Sequence, residues 1–149
     1  MKTNMLAKAI ALAARVFENT VDKGGKPYIL HCLWVMNNVR HLGEEAMIIA
    51  VLHDVVEDFK ITGITFEHLR KMGFSASVIA GLTILTHDKE NVPYEEYIRL
   101  VGAYSDKRIK EIKKKDLEHN SKVTRLKGLR EKDFGRLQKY CTAYEYLKD

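Results

Sequence analysis

Residues 44–58 read EEAMIIAVLHDVVED. From Glu44 to Val56 the stretch is apolar on most sides, the pattern of a helix buried at the centre of a protein rather than lying on its surface. His53 and Asp54 stand near the end of that apolar run, where an unpaired imidazole and carboxylate are costly to bury. They need a partner, and imidazole with carboxylate suits a borderline divalent ion such as Mn²⁺, Fe²⁺, Zn²⁺ or Co²⁺. Two adjacent ligands from one helix end must be completed from elsewhere in the chain. His31, which begins a helix after the rigid Pro27-Tyr28 entry, and Asp116, in a helix that otherwise presents lysines, are the natural candidates. Glu57 and Asp58 follow His53 and Asp54 at i+4, which puts them on the same helix face one turn further on. Acids at a helix C-terminus oppose the helix dipole, so a cation or a function is expected to compensate them.

Around this centre the periodicity is helical throughout. From Thr3 to about Asn19, Leu6, Ile10, Ala13, Ala14 and Phe17 recur at three- and four-residue spacing. The segment DKGGKP, residues 22–27, breaks that helix, and a second runs over Ile29 to Leu42, with Gly43 ending it. Thr65 caps a short helix to Met72, Ser75 caps another to about Leu85, and Pro93 fits the first turn of one reaching about Leu100. Ser105-Asp106 opens a long helix to about Val123, and after Gly128 a last helix spans Glu131 to Leu147. No strand pair, repeat or low-complexity tract appears. The expected fold class is all-α, one domain over residues 1–149, built as a bundle of roughly seven or eight helices.

Composition agrees: 46% apolar and 30% charged residues with two prolines describe a globular chain rather than a disordered or fibrous one. No apolar run approaches the roughly 20 residues that span a bilayer, and the N-terminus lacks signal-peptide architecture, so the cytoplasm is the expected location. Cys32 and Cys141 sit in apolar surroundings without CxxC spacing and are expected to be core thiols rather than a disulfide or a zinc ribbon. The net charge of +5 is uneven, because residues 107–139 hold thirteen Lys/Arg against five Asp/Glu. That lobe is either a solvated face or a surface for a polyanion, a nucleotide or a nucleic acid. His41, His68, His87 and His119 are expected at the surface or at helix ends, with no second metal required. Oligomeric state leaves no signal in the sequence.

The strings GKPYILH (25–31), LHDVVED (52–58) and KKKDLEHN (113–120), in that order, resemble the HD-domain hydrolases of the Rel/SpoT type and their small stand-alone relatives. Those enzymes remove the 3′-pyrophosphate of the alarmone (p)ppGpp. The likeness runs from the first helix to Tyr140. It implies an HD-type helical fold and one divalent ion, Mn²⁺, held by His31, His53, Asp54 and Asp116. It also implies a catalytic acid-base pair, Glu57 and Asp58, and an Asn120 that contacts the nucleotide sugar or phosphate. Arg136 and Tyr140 stand twenty and twenty-four residues past Asp116, where the small hydrolases place an Arg and a Tyr. Being i and i+4 they share a face and can hold a phosphate and stack on or hydrogen-bond to the nucleotide.

The chain departs from the family pattern at Cys32, where Pro is usual, and at Lys114-Lys115, where small apolar residues are usual. A dense Arg-Lys-Asp stretch ahead of the Pro-Tyr is reduced here to Asp22-Lys23 and Lys26. Lys23 and Lys26, with Asn120 and Arg136, are the expected holders of an anionic substrate. The function implied is hydrolysis of ppGpp to GDP and pyrophosphate, without alarmone synthesis. The alternatives are an HD-type phosphatase of another nucleotide (a nucleoside monophosphate, a deoxynucleotide or NADPH) and a basic helical module that binds nucleic acid.

Overall fold

Asn4, Thr65, Ser75 and Asp106 each accept a hydrogen bond from a backbone N–H of the turn that follows, and each starts a helix. The computed structural model describes residues 2–148 and contains, among them, nine α-helices and no strand. They are α1 Met5–Val16, α2 Ile29–Asn37, α3 Glu44–Leu52, α4 Phe59–Thr62 and α5 Phe66–Lys71, followed by α6 Ala76–Leu85, α7 Tyr94–Ala103, α8 Lys107–Asn120 and α9 Glu131–Leu147. Single 3₁₀ turns occupy Arg40–Leu42 and Val123–Arg125. An isolated bridge between Val21 and Pro27 pinches the loop between α1 and α2.

The apolar stretch is central, as its composition requires. α3 packs against α1, α2, α6 and α8, and Ile48 to Leu52 are all buried. Each large side chain removed from water in this way contributes about 1.5–3 kcal/mol before its entropy cost. Gly43, at φ +100°, turns the chain from the 3₁₀ turn into α3 through a backbone conformation that side chains disfavour. Gly81 on α6 lets Ile49 of α3 and Ile109 of α8 close over it; a Cβ there would stand 3.0 and 2.7 Å from their Cδ1 atoms.

Three helices stop earlier than their periodicity predicts, and at each of these ends a side chain bonds a backbone carbonyl of the last turn. Asn38 Nδ2 donates to Trp34 O at 2.8 Å, and α2 ends at Asn37, with a 3₁₀ turn where the helix was expected to reach Leu42. His53 Nδ1 donates to Ala50 O at 2.6 Å. That is the carbonyl a continuing helix would offer to the N–H of Asp54, so α3 closes at Leu52 instead of Val56 and residues 53–58 form consecutive turns. Arg125 Nη1 takes the His119 carbonyl at 2.9 Å, and α8 ends at Asn120 rather than Val123. The single-turn α4 has no counterpart in the expected set, which accounts in part for nine helices against seven or eight.

Candidate metal centre and catalytic cavity

His31, His53, Asp54 and Asp116 come from the first turn of α2, the end of α3 and the middle of α8, and all four are buried. One ligand atom from each lies within 4.8 Å of the others. His31 Nε2 is 3.0 Å from Asp116 Oδ1 and 3.7 Å from Asp54 Oδ2; His53 Nε2 is 3.0 Å from Asp54 Oδ2 and 3.2 Å from Asp116 Oδ1. Ligands bonded at about 2.1 Å stand about 3.0 Å apart around an octahedral ion and about 3.4 Å apart around a tetrahedral one. The quartet has that spacing, and two imidazoles with two carboxylates are a donor set for a divalent transition ion.

The electrostatics point the same way. Burial alone would raise the Asp116 carboxyl, but Lys113, His53 and His31 hold it well below the usual carboxylate range. Burial opposes a charge on His53, yet Asp54 and Asp116 raise it well above an ordinary histidine. Two buried carboxylates thus demand positive charge at the His53 nitrogen, a demand that a divalent ion meets by displacing the proton. Tyr28 donates a hydrogen bond to Asp54 Oδ2; burial and the Asp54 charge keep its hydroxyl protonated. Lys113 Nζ holds Asp116 Oδ2 at 2.8 Å and lies 5.3 Å from the Tyr97 ring centroid.

The two carboxylates of the quartet, Asp54 and Asp116, line a cavity of about 470 Å³ together with Glu57 and Asp58. Neither is on α3, against the expectation of a shared helix face; the turns of residues 53–58 deliver them instead. Glu57 Oε1 accepts from the backbone N–H of His87 at 2.8 Å, and its carboxyl is raised by burial and by Asp54. Asp58 is pushed up to about 6 by burial and by the charges of Asp54 and Glu57.

Among the described residues seven cationic side chains line the cavity. Lys89, Lys113, Arg136 and Lys139 form one group. Partial burial lowers Lys139, and repulsion from the other three lowers it further. Lys23, Lys122 and Arg125 also line the cavity, and Arg125 Nη2 pairs with Asp22 at 3.0 Å. Lys122 and Arg125 thus add to the cations of the lining, although the sequence did not single them out. The Tyr94 hydroxyl is buried beside the cavity with no hydrogen-bond partner.

Of the expected substrate holders, Lys23, Asn120, Arg136 and Tyr140 line this space, whereas Lys26 is exposed and does not. The Val21–Pro27 bridge and the hydrogen bonds from Gly24 and Lys26 backbone N–H to Asp22 Oδ1 curl the loop so that Lys26 lies outside the lining. Asn120 is already engaged: Nδ2 donates to Asp116 Oδ1 at 3.0 Å and Oδ1 accepts from Arg125 at 3.3 Å. Its nearest partner is a quartet carboxylate, which it orients.

Sequence reasoning missed Tyr28, Lys113 and His119 as site residues. Lys113 was signalled by its i,i+3 relation to Asp116. His119 was expected at the surface or at a helix end; it is the penultimate residue of α8 but is buried against His31. His87 lines the cavity and His68 closes the capping box of α5. Cys32 is a core thiol with its pKa pushed up to about 12 by burial, but Cys141 is exposed, contrary to expectation.

No protein-family model matches the sequence, and no curated protein does. Among solved structures, the chain is similar to that of a metazoan ortholog of SpoT, a protein that hydrolyzes ppGpp and plays a role in starvation responses. The two are 22% identical, 99% of this chain and 88% of that one are covered, and the TM-score is 0.80. The chain therefore shares its fold with that protein, and among the described residues His31, His53, Asp54 and Asp116 form a buried group that could hold a metal ion.

Proposed function

We propose that the chain is a metal-dependent phosphohydrolase whose substrate is a nucleotide with clustered phosphates, (p)ppGpp above others, cleaved to release pyrophosphate. What supports this reading is one cavity lined by the two carboxylates of the quartet, two further acids and seven cations. Three of the seven are paired with carboxylates, Lys113 with Asp116, Arg125 with Asp22 and Arg136 with Asp133; the other four still exceed what a single phosphate uses, and a purely structural metal would not need Glu57 and Asp58 beside it. The similarity to a protein that hydrolyzes ppGpp adds to the case. No helix among the described residues is long and apolar enough to cross a membrane, and a nucleotide substrate makes the cytoplasm the expected compartment.

His31, His53, Asp54 and Asp116 would hold the ion, Mn²⁺ in our reading, which would supply Lewis-acid neutralisation of a phosphoryl group and acidify water. The remaining work falls to the chain. Lys89, Lys113 and Lys139 receive the pyrophosphoryl charge and stabilise its growth in the transition state, while Arg136 holds a phosphate in substrate and transition state alike. Water oxygen forms the new bond to phosphorus as the bond from phosphorus to the ribose 3′-oxygen breaks. One of Glu57 and Asp58 takes the water proton, and the leaving 3′-oxygen receives a proton from the pair. Asp58, pushed up to about 6, suits that exchange near neutral pH, and the Glu57 carboxyl is raised by burial and by Asp54.

The test is product analysis. Purified protein with Mn²⁺ is incubated with ppGpp and, separately, with nucleoside monophosphates, deoxynucleotides and NADPH. GDP with pyrophosphate, abolished by EDTA, is the expected result. Turnover of another nucleotide without ppGpp consumption would refute the alarmone assignment and leave the phosphohydrolase. No turnover of any of them with any divalent ion would refute both.

A further inference from the structure

Two imidazole nitrogens in hydrogen-bond contact share one proton, so one ring donates and the other accepts. His31 Nδ1 and His119 Nδ1 stand in that relation, 2.7 Å apart. Their rings are within 12° of parallel with centroids 5.0 Å apart. That separation is the N···N distance plus two ring radii, as for rings meeting edge to edge in a common plane. The other nitrogen of His31, Nε2, faces Asp116 and Asp54 inside the quartet. For Nε2 to offer its lone pair to a cation, the His31 proton must sit on Nδ1, and His119 Nδ1 must be the bare acceptor.

We propose that His119 is the positioning residue of the metal centre, fixing His31 in its Nδ1–H tautomer and aiming Nε2 at the ion. This rests on the reading of the quartet as a metal site. His53 has its counterpart in the Ala50 carbonyl, which accepts from Nδ1 at 2.6 Å. His31 has no such carbonyl among its hydrogen-bond partners and is served by a second imidazole. One helix supplies both parts: His119 follows Asp116 by three residues on α8, so a single turn carries a ligand and the group that orients another ligand.

His119 is itself held in place. Its face lies on Trp34, with centroids 4.4 Å apart and planes 12° from parallel, and Lys122 Nζ is 4.5 Å from the Trp34 centroid. Its carbonyl is tied by Arg125. A ring fixed on this scale gives the His31 bond a defined direction, which is what an outer partner of a metal ligand must provide.

The test is a Co²⁺ titration of chelator-treated protein, followed by visible absorption, in the wild type, His119→Phe and His119→Gln. Phe keeps a flat ring against Trp34 without an acceptor, whereas Gln restores an acceptor oxygen. His119→Phe should weaken Co²⁺ binding by about 10–100-fold and alter the absorption band, and His119→Gln should recover most of the loss. Equal affinity in His119→Phe and the wild type would overturn the inference. Should His119→Phe fail to fold, ring-nitrogen NMR of the Zn²⁺-loaded wild type decides. A protonated His31 Nδ1 facing an unprotonated His119 Nδ1 is expected, and the reverse overturns the proposal. A wild type that takes up no Co²⁺ would refute the metal centre itself, a result separable from equal affinity.

Discussion

Replacing Asp58 by Asn should make the metal-free protein more stable while abolishing turnover. In the folded chain the Asp58 carboxyl titrates at about 6 against 3.8 in its ordinary state, because of burial and the neighbouring charges of Asp54 and Glu57. The sign follows from linkage. At pH 8 the group is ionised both folded and unfolded, and folding places its charge where it is disfavoured; the cost shrinks as pH falls through the folded value and is gone about a unit below 3.8, where the group is neutral in both states. The displacement sets a ceiling of about 3 kcal/mol at pH 8. The carboxyl is only partly withdrawn from water, and screening reduces that ceiling to about 1 kcal/mol. For a chain of this length that is a rise of about 3–4 °C in Tm. Thermal melts in EDTA across pH 4–8 measure it: the variant should melt higher at pH 8, with the gap closing as pH falls from 6 to 4. Turnover with Mn²⁺ should drop by at least ~100-fold. A variant no more stable at pH 8, or a gap as large at pH 4 as at pH 8, would refute the electrostatic account. Undiminished turnover would show that Asp58 takes no part in proton transfer.

His53→Ala and Asp116→Ala should each empty the site, and elemental analysis showing full metal occupancy in both would remove the ligand set. Arg136→Ala should raise KM more than it lowers kcat, as for a group that binds substrate and transition state alike; steady-state kinetics with an unchanged KM would take Arg136 out of the binding site. Gly81→Ala should cost about 1–3 kcal/mol, because its Cβ would stand 2.7 Å from Ile109 Cδ1 and 3.0 Å from Ile49 Cδ1. A urea midpoint equal to that of the wild type would mean that α3, α6 and α8 part without strain.

Local signals carried far in this chain, and contacts between distant segments did not. The last helix forms over its expected span, Glu131–Leu147, and the caps at Thr65, Ser75 and Asp106 act as read, because capping is decided within a few residues. The end of α3 was hidden because residues 53–58 continue the helical spelling; only the side-chain bond from His53 to Ala50 breaks it. The single turn α4 is too short for any periodicity. The quartet could be assembled because burying His53 and Asp54 without partners is expensive, whereas the His31–His119 bond joins residues 88 positions apart and leaves no mark in either neighbourhood. Lys26 was misplaced, and Lys122 and Arg125 overlooked, for one reason: which basic residues enter a cavity depends on how two loops curl, not on their charge.

The ring against His119 has an optical consequence. Trp34 is the only tryptophan in the sequence, and it lies two ring contacts from the inner nitrogen of His31. Its fluorescence is therefore an intrinsic probe of that corner of the molecule, with no label and no competing indole. Binding of a paramagnetic ion at the quartet should be visible as quenching. The indole ring can thus report in real time whether the centre is loaded.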